Sequence, residues 1–152
     1  MMLRVFLAAY LALQYLPALP GYPYEFPRDH GSHAAFKVEW WYYTGNLTGE
    51  NGREFGYELT FFRTGTGQTS GNPSVWNARD LYMAHFAVTD VNSKQFYYDE
   101  KLNRAGPGIA GAVEGRLHAW NENWFAREDN GRVHLRAKGK NTELELDLDP
   151  AR

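Results

Sequence analysis

The sequence contains no cysteine among its 152 residues. Disulfide bonds, a cysteine nucleophile, cysteine-bound zinc and a lipid-modified cysteine are therefore all excluded. The fold must be stabilised by the packing of its side chains and by hydrogen bonds.

An excess of charge of one sign is also missing. The formal net charge is -2 at pH 7, and the Lys and Arg residues are scattered along the chain rather than clustered. Such a chain exerts no long-range attraction on a polyanion. We therefore expect no nucleic-acid partner.

Long apolar segments are missing apart from one near the N-terminus. Residues 5–19 form an apolar run that only Gln14 interrupts, and Arg4 precedes it. As a helix this run would measure about 22 Å, which is short of the ~30 Å hydrocarbon core of a membrane. We predict that residues 1–20 are a signal peptide, which implies export to the periplasm or cell envelope of a bacterium. The alternative is an uncleaved anchor in peripheral contact with the membrane.

Motifs for several common chemistries are missing as well. No serine has the Gly-x-Ser-x-Gly context of a serine hydrolase, and the glycine-rich residues 105–112 lack the basic residue of a phosphate loop. His30 and His33 are suitable metal ligands, but they lie in a glycine-containing loop without a clear third ligand. We therefore predict neither a metal site nor a cofactor.

Aromatic residues, by contrast, make up 16% of the chain and are dense in residues 36–45 and 55–63. Both segments have the pattern of strands. Between them lies Asn51-Gly52, a pair that favours a tight hairpin because both residues tolerate the positive φ of a type I′ turn. We predict an antiparallel ladder that lines a large apolar cavity.

The register of this hairpin decides which side chains share a face. A two-residue loop at Asn51-Gly52 would pair Tyr42 with Phe61 and Trp40 with Arg63. One face would then carry Trp40, Tyr42, Thr44, Tyr57, Leu59 and Phe61, and the other Glu39, Trp41, Tyr43, Glu58, Thr60 and Phe62. Because a sheet with one wet face alternates apolar and polar residues, this arrangement predicts a wall covered on both sides.

Further short strand patterns, separated by turns, follow the hairpin. They cover residues 80–90, 95–98, 113–120, 124–127, 132–137 and 142–148. About eight short strands at this spacing predict an all-β barrel or sandwich. A tight turn at Asn92-Ser93 would set His85 opposite Glu100. Residues 21–36 are predicted to be a lead-in loop that closes one end of the barrel, and residues 65–77 a lid or portal loop.

Four phrases of the sequence resemble one family. They are FPRDHGSH at 26–33, EWWYYTG at 39–45, FGYELTFFR at 55–63 and LYMAHFAVTD at 81–90. Over residues 25–148 the chain resembles the carotenoid 1,2-hydratase (hydroxyneurosporene synthase) family, which includes the AttH-like proteins, often labelled secreted hydrolases. The resemblance implies that residues 37–149 form a lipocalin-like antiparallel β-barrel, the first of a usual pair. The second lipocalin-like domain, absent from this sequence, would be its partner.

The resemblance also implies hydratase chemistry on a hydrophobic, isoprenoid or lipid-like molecule. Adding water to a C=C bond needs a carboxylic acid whose burial keeps it protonated, and Glu39 among its aromatic neighbours is the candidate. His85 is the candidate base for the water, polarised by Glu100. The alternatives are a structural Glu39, hydrogen-bonded to the lead-in loop, and a structural His85 with its hydrogen bonds satisfied.

Aromatic side chains are the candidate ligand-binding groups, because their rings offer apolar area and face a developing cation favourably. They are Trp40, Trp41, Tyr42, Tyr43, Tyr57, Phe61, Tyr82 and Phe86. Closure of the barrel end is assigned to Arg28, Asp29, His30 and His33 of the lead-in loop. Two alternative functions stay open: non-enzymatic binding of a hydrophobic molecule, and a structural half of a two-barrel envelope protein.

Overall fold

The computed structural model describes residues 15–67, 74 and 78–149. The predicted signal peptide falls mostly on residues 1–14, which lie outside the described residues. The same holds for the predicted lid loop, most of which falls on residues 68–73 and 75–77.

The described chain is almost entirely β-structure. Its strands are β1 (Val38–Thr48), β2 (Glu54–Gly65), β3 (Asp80–Asp90), β4 (Gln95–Arg104), β5 (Ala110–Ala112), β6 (His118–Asn121), β7 (Trp124–Asp129), β8 (Arg132–Lys138) and β9 (Glu143–Leu148). Two short 3₁₀ segments, Arg28–His30 and Glu50–Gly52, accompany them. The predicted all-β class is confirmed.

The strands form two antiparallel sheets in chain order. The first sheet has the order β1-β2-β3-β4 and the second β5-β6-β7-β8-β9. This is a lipocalin-like, β-rich arrangement. Within the described residues the two ladders stay separate apart from a bridge between Ala105 and Ala110, so strand pairing does not form a closed ring there.

The hairpin of β1 and β2 has a three-residue loop rather than a two-residue loop. The backbone N–H of Gly49 donates to the carbonyl of Arg53 at 2.8 Å, which leaves Glu50–Gly52 as the loop. Asn51 and Gly52 both have positive φ, as their sequence predicts. The extra loop residue shifts the pairing by one position, and the predicted register is therefore wrong.

This shift exchanges the two faces of β1. Trp41 pairs with Phe61 and therefore shares the inner face with it, whereas Trp40 and Tyr42 point outward, away from the second sheet. The exposed fraction is 63% for Trp40 and 55% for Tyr42. The predicted wall that is covered on both sides is not observed, because the outer face of β1 is open to solvent.

Strands β3 and β4 agree with the sequence prediction. β3 spans Asp80–Asp90 as expected, and the turn at Asn92-Ser93 sets His85 opposite Glu100. The prediction fails farther along. The positive φ of Gly115 accompanies a turn within the expected strand at 113–120, and β5 lies in the glycine-rich residues 105–112, for which no strand was predicted.

The space between the sheets is filled by side chains. Rings of Phe61 and Phe86 on the first sheet face small alanines and Trp124 on the second sheet, and the ring centroids of Phe86 and Trp124 are 5.7 Å apart. Fully buried members of this core include Leu59, Phe61, Phe86, Ala119, Trp124, Ala126, Leu135 and Ala137. The centre of the sandwich is therefore a packed core.

Within residues 15–67, 74 and 78–149, no helix has the length and apolar character needed to cross a membrane.

Candidate functional site

The lead-in loop crosses one end of the sandwich and contacts both sheets. The backbone N–H of Ser32 donates to the carbonyl of Val113 at 2.8 Å, and Trp41 Nε1 of β1 donates to the carbonyl of His30 at 3.0 Å. The ring of His30 lies 3.4 Å from Glu128 of β7. The loop thereby ties the edge of the first sheet to the second sheet.

The carboxylate of Glu39 lies on the inner face of β1, under this loop. Its Oε2 atom accepts hydrogen bonds from Ser32 Oγ at 2.9 Å and from Arg63 Nε at 2.8 Å. Its Oε1 atom accepts from the backbone N–H of His33 at 2.5 Å and faces His33 Nδ1 at 2.9 Å. Both carboxylate oxygens are therefore held by groups of the lead-in loop, and one of them is also held by β2.

Arg63 of β2 is the counterion of Glu39, and its side chain is only 2% exposed. It also donates to Asp80 Oδ1 at 2.7 Å and to the carbonyls of His33 and Phe36 in the lead-in loop. Burial by itself would lower the pKa of Arg63, but the hydrogen bonds to Glu39 and Asp80 outweigh it and raise the pKa. The guanidinium therefore stays charged and connects three segments of the chain.

His33 lies between two carboxylates. Its Nδ1 faces Glu39, and its Nε2 faces Asp29 Oδ1 at 3.1 Å. A carboxylate only accepts hydrogen bonds, so a ring nitrogen bonds to it only when that nitrogen carries a proton. Acidic and basic side chains thus alternate in a row from Asp29 through His33, Glu39 and Arg63 to Asp80.

Asp29 anchors the outer end of this row of charges, and its side chain is 1% exposed. Hydrogen bonds from the Arg28 guanidinium, together with one from the backbone N–H of Glu25, hold the pKa of Asp29 well below its ordinary value. The carboxylate is therefore ionised at neutral pH.

A cavity of about 1370 Å³ lies beside this row of charges. Trp41 and Tyr43 of β1 line it from one sheet, and Leu117 and Val133 from the other. Residues 16–24 and the lead-in loop line the remaining side, where the backbone N–H of Leu16 donates to the carbonyl of Ala35. The cavity is mostly apolar, and Asp29, His33 and Glu39 form a polar, charged end.

Burial at the inner end of the cavity acts on the phenol of Tyr43. Burial, assisted by the negative charge of Glu128, raises the pKa of Tyr43 above its ordinary range. Tyr43 is therefore a neutral phenol at every physiological pH, and it offers a hydroxyl group to a molecule bound beside it.

The predicted ligand-binding rings fall into three groups. Trp41 and Tyr43 lie on the inner face of β1 and line the cavity. Trp40 and Tyr42 point outward into solvent, although Trp40 also borders the cavity. The remaining rings, Tyr57, Phe61, Tyr82 and Phe86, are buried and are not among the cavity-lining residues.

The two predicted catalytic residues do not meet. Glu39 lies on the inner face of the first sheet, whereas His85 lies on its outer face, beside Phe62 and Tyr98. His85 Nε2 is 4.0 Å from Glu100, too far for a hydrogen bond. Since strand side chains alternate between faces, the sheet itself separates the two groups, and they cannot act on one substrate atom.

Sequence reasoning missed two members of this row, Arg63 and Asp80, and it also missed the hydrogen bond from Ser32 to Glu39. Arg63 stood within a resemblance phrase but was given no role. The available signal was a cation in an otherwise apolar strand, because a buried Arg requires a carboxylate partner. The predicted hairpin register placed Arg63 opposite Trp40, whereas in the structure Arg63 lies opposite Glu39. The wrong register therefore prevented the recognition of Glu39 as the partner of Arg63.

Across the part of the chain that the structure describes, no group of three or more His, Asp or Glu side chains is placed to hold a metal ion. The clustered acids here face guanidinium, imidazole and amide donors instead.

Two antiparallel sheets with a cavity at one end, covered by an N-terminal loop, define a lipocalin-like β domain. Residues 17–152 match the AttH-like family model, and the chain belongs to the AttH-like family. This part of the predicted resemblance is confirmed. The narrower resemblance to the carotenoid 1,2-hydratases stays a prediction.

The chain is also similar to a solved structure assigned as AttH from Nitrosomonas europaea. The two are 34% identical and superpose with a TM-score of 0.75. The match covers 90% of this chain but 41% of that chain, so this chain spans less than half of its structural relative. No curated protein matches the sequence.

Proposed function

We propose that this AttH-like domain binds a hydrophobic, isoprenoid or lipid-like molecule in the cavity under the lead-in loop. The observation that carries the proposal is the cavity of about 1370 Å³, lined mainly by apolar and aromatic side chains. Pockets for small molecules typically measure about 300 to 1,000 Å³. The space is therefore sufficient for a molecule with a long apolar body.

The charged end of the cavity adds a preference for an amphipathic ligand. Asp29, His33 and Glu39 all line it, and Tyr43 contributes a neutral hydroxyl group. Because these carboxylates already accept several protein hydrogen bonds, they need no charged ligand to satisfy them. We infer an apolar body with one neutral polar end, such as a hydroxyl group.

Binding without catalysis is the form of this function that the geometry supports best. Protonating an alkene requires a carboxylic acid that keeps its proton, whereas Glu39 has four polar groups around it, one of them the buried guanidinium of Arg63. His85, on the other face, cannot supply a base to the same site. Hydration of an isoprenoid C=C bond is the second candidate, and the family resemblance is its support.

The test uses all-trans-retinol as a probe of the purified chain. Retinol fluorescence should rise on binding, and lipids extracted from the purified protein should be identified by mass spectrometry. Val133→Trp places an indole inside the cavity and should weaken retinol binding at least ten-fold. Leu102→Ala, on the outer face of β4, is the matched control and should bind like the wild type.

If a folded Val133→Trp protein bound retinol as tightly as the wild type does, the cavity would not be the binding site. The catalytic candidate needs a separate assay, in which the wild-type protein is incubated with an acyclic isoprenoid alkene and the products are analysed for an added water. If the wild type hydrates the alkene and Glu39→Gln does not, the domain is a hydratase. If no product forms, the result supports binding without catalysis.

Three further expectations remain part of this proposal. They are export to the periplasm or envelope, peripheral contact with a membrane, and partnership with a second lipocalin-like domain. The support for the second domain is that the Nitrosomonas europaea protein continues well beyond the region that this chain matches.

A further inference from the structure

The outer face of the first sheet, formed by the side chains of β1–β4 that point away from the second sheet, is unusually apolar. Every large apolar side chain that is exposed on these four strands lies on it. The most exposed are Trp40, Tyr42, Phe96, Tyr98 and Leu102. A sheet face turned to water is expected to be polar, and large exposed apolar patches mark interaction surfaces.

The strand register orders this face into rows that run across the sheet. One row is wholly apolar and consists of Trp40, Phe62, Met83 and Leu102. The next row consists of Tyr42, Thr60, His85 and Glu100, and the one after it of Thr44, Glu58, Ala87 and Tyr98. Few charges interrupt these rows.

We propose that this outer face is the interface of a homodimer, covered by the same face of a second copy of the chain. Four strands of about 11 residues form a face of about 700 Å² at ~3.4 Å per residue and ~4.8 Å between strands. A stable interface of standard size buries about 800 Å² on each partner. The face is therefore of the size that a dimer needs.

Self-complementarity is the reason for choosing a second copy. A two-fold axis parallel to the strands and midway between β2 and β3 lays β1 over β4 of the second copy, and β2 over β3. Residues of the same row then meet. Trp40 packs on Leu102 of the second copy and Phe62 on its Met83, so the apolar row is buried against itself.

The charged side chains also find compatible neighbours about this axis. Glu100 meets the hydroxyl group of Tyr42, and Glu58 meets Ala87, so no charge faces a like charge. An axis perpendicular to the strands would instead place Glu100 on Glu100 and set Phe62 on Glu58. We therefore assign the axis that runs along the strands, with the sheets packed face to face and roughly aligned.

A lipid surface fits the same face less well. Aromatic side chains that bind membranes are usually accompanied by Lys or Arg, which attract anionic lipids. Here Glu58 and Glu100 lie among the rings, and Arg104 is the cation on the face. The acidic excess opposes binding to an anionic membrane.

The first test is analytical ultracentrifugation of the full-length chain over about 1 to 100 µM. We expect a species of twice the 17.4 kDa chain mass. Leu102→Glu would set a carboxylate on Trp40 of the second copy and should weaken the dimer at least ten-fold. Phe26→Glu, at a similarly exposed apolar position in the lead-in loop and outside this face, is the matched control and should leave the dimer intact. Circular dichroism of each variant confirms the fold.

A second test uses the absence of cysteine in the chain. His85→Cys places a unique thiol next to the assigned axis, and a short bismaleimide should join two chains in high yield. Glu145→Cys, an exposed position on β9 of the second sheet and away from the axis, should give little covalent dimer. A monomer at 100 µM, or a dimer that Leu102→Glu does not weaken, would overturn the proposal. So would a monomer that floats with phosphatidylglycerol vesicles and loses this binding in Leu102→Glu, which would assign the face to lipid.

Discussion

Arg63 and Glu39 lie directly opposite each other on β2 and β1, and Arg63 Nε donates to Glu39 Oε2 at 2.8 Å. The guanidinium is almost fully buried, and its other nitrogens hold Asp80 and two carbonyls of the lead-in loop. The pair therefore connects the sheet to the loop that covers the cavity. The stability of the domain and the shape of the cavity depend on the same contacts.

Replacing Arg63 by Met should destabilise the protein strongly. Two carboxylates, Glu39 and Asp80, would lose their buried cation, and breaking a buried ion pair typically costs about 3–5 kcal/mol. Urea denaturation at pH 7 measures the loss of unfolding free energy. Lys140→Met removes an exposed charge instead and should change it by less than about 0.5 kcal/mol. If both substitutions lowered the free energy of unfolding equally, the buried ion pairs of Arg63 would stabilise the fold no more than an exposed charge does.

Asp29→Asn should destabilise the protein at neutral pH. In acid, the variant and the wild type should become equally stable. The pKa of Asp29 in the folded protein lies below the ordinary value of 3.8. Its stabilising contribution is therefore complete above that value and disappears as the pH falls through the folded pKa. Urea midpoints of wild type and variant should differ at pH 7, and the difference should shrink progressively as the pH falls below 3.8. Glu50→Gln in the exposed hairpin loop provides the control. If the urea midpoints of wild type and Asp29→Asn differed by the same amount at every pH, the ionisation of Asp29 would not contribute to stability.

Gly31→Ala should destabilise the contact of the lead-in loop with the second sheet. A Cβ atom at position 31 would lie 2.6 Å from the backbone nitrogen of Gly115 and 2.7 Å from that of Arg116. Backbone atoms cannot move aside as a flexible side chain can, so we expect a cost of about 1–3 kcal/mol. Thermal unfolding followed by circular dichroism measures it. Gly56→Ala is the control, because a Cβ atom there would meet only Thr89 Cβ at 3.8 Å, and it should not destabilise the protein.

Trp124→Phe should cost less than Trp124→Ala, and both should destabilise. Trp124 is 1% exposed, packs against Phe86, and donates its Nε1 proton to the carbonyl of Lys138 at 2.9 Å. Truncation of a buried Trp to Ala costs about 3–5 kcal/mol, whereas Phe retains much of the apolar contact but leaves the carbonyl without its donor. Chemical denaturation gives both values. A near-neutral Trp124→Ala would mean that the centre of the sandwich is loosely packed.

Alternation and turn chemistry allowed much of the fold to be predicted from the sequence. The strand pattern at 80–90 identified β3, and the turn at Asn92-Ser93 placed His85 opposite Glu100. The strand pattern at 142–148 likewise identified β9. These features are local, because they depend on residues within one strand or one turn.

The register of β1 could not be predicted in the same way. Asn51-Gly52 marks the turn correctly, but a two-residue and a three-residue loop both accommodate its positive φ values. The aromatic residues of β1 occupy both faces, so apolar pattern alone did not select between the two registers. The consequence was large, because a shift of one residue moved Trp40 and Tyr42 outside and brought Glu39 to Arg63.

The contacts within the charged row of the candidate site could not be predicted from the sequence either. Asp29, His33 and Glu39 were recognised as polar groups near one end of the fold, but their mutual contacts join a loop to two strands. Asp80 contacts Arg63 because β3 lies beside β2 in the sheet. Contacts between segments distant in sequence leave no periodic signal in the chain.

By itself, the amino-acid sequence determined that this protein is an all-β chain without disulfides, rich in rings, and similar to the AttH-like proteins. Strand alternation, turn residues and the absence of cysteine act locally and are readable without coordinates. Only the tertiary structure decided which rings line the cavity, which fill the core and which face outward, because one extra residue in a hairpin loop exchanges the faces of an edge strand. It also decided that Glu39 is an ion-pair partner, because its counterion comes from the neighbouring strand.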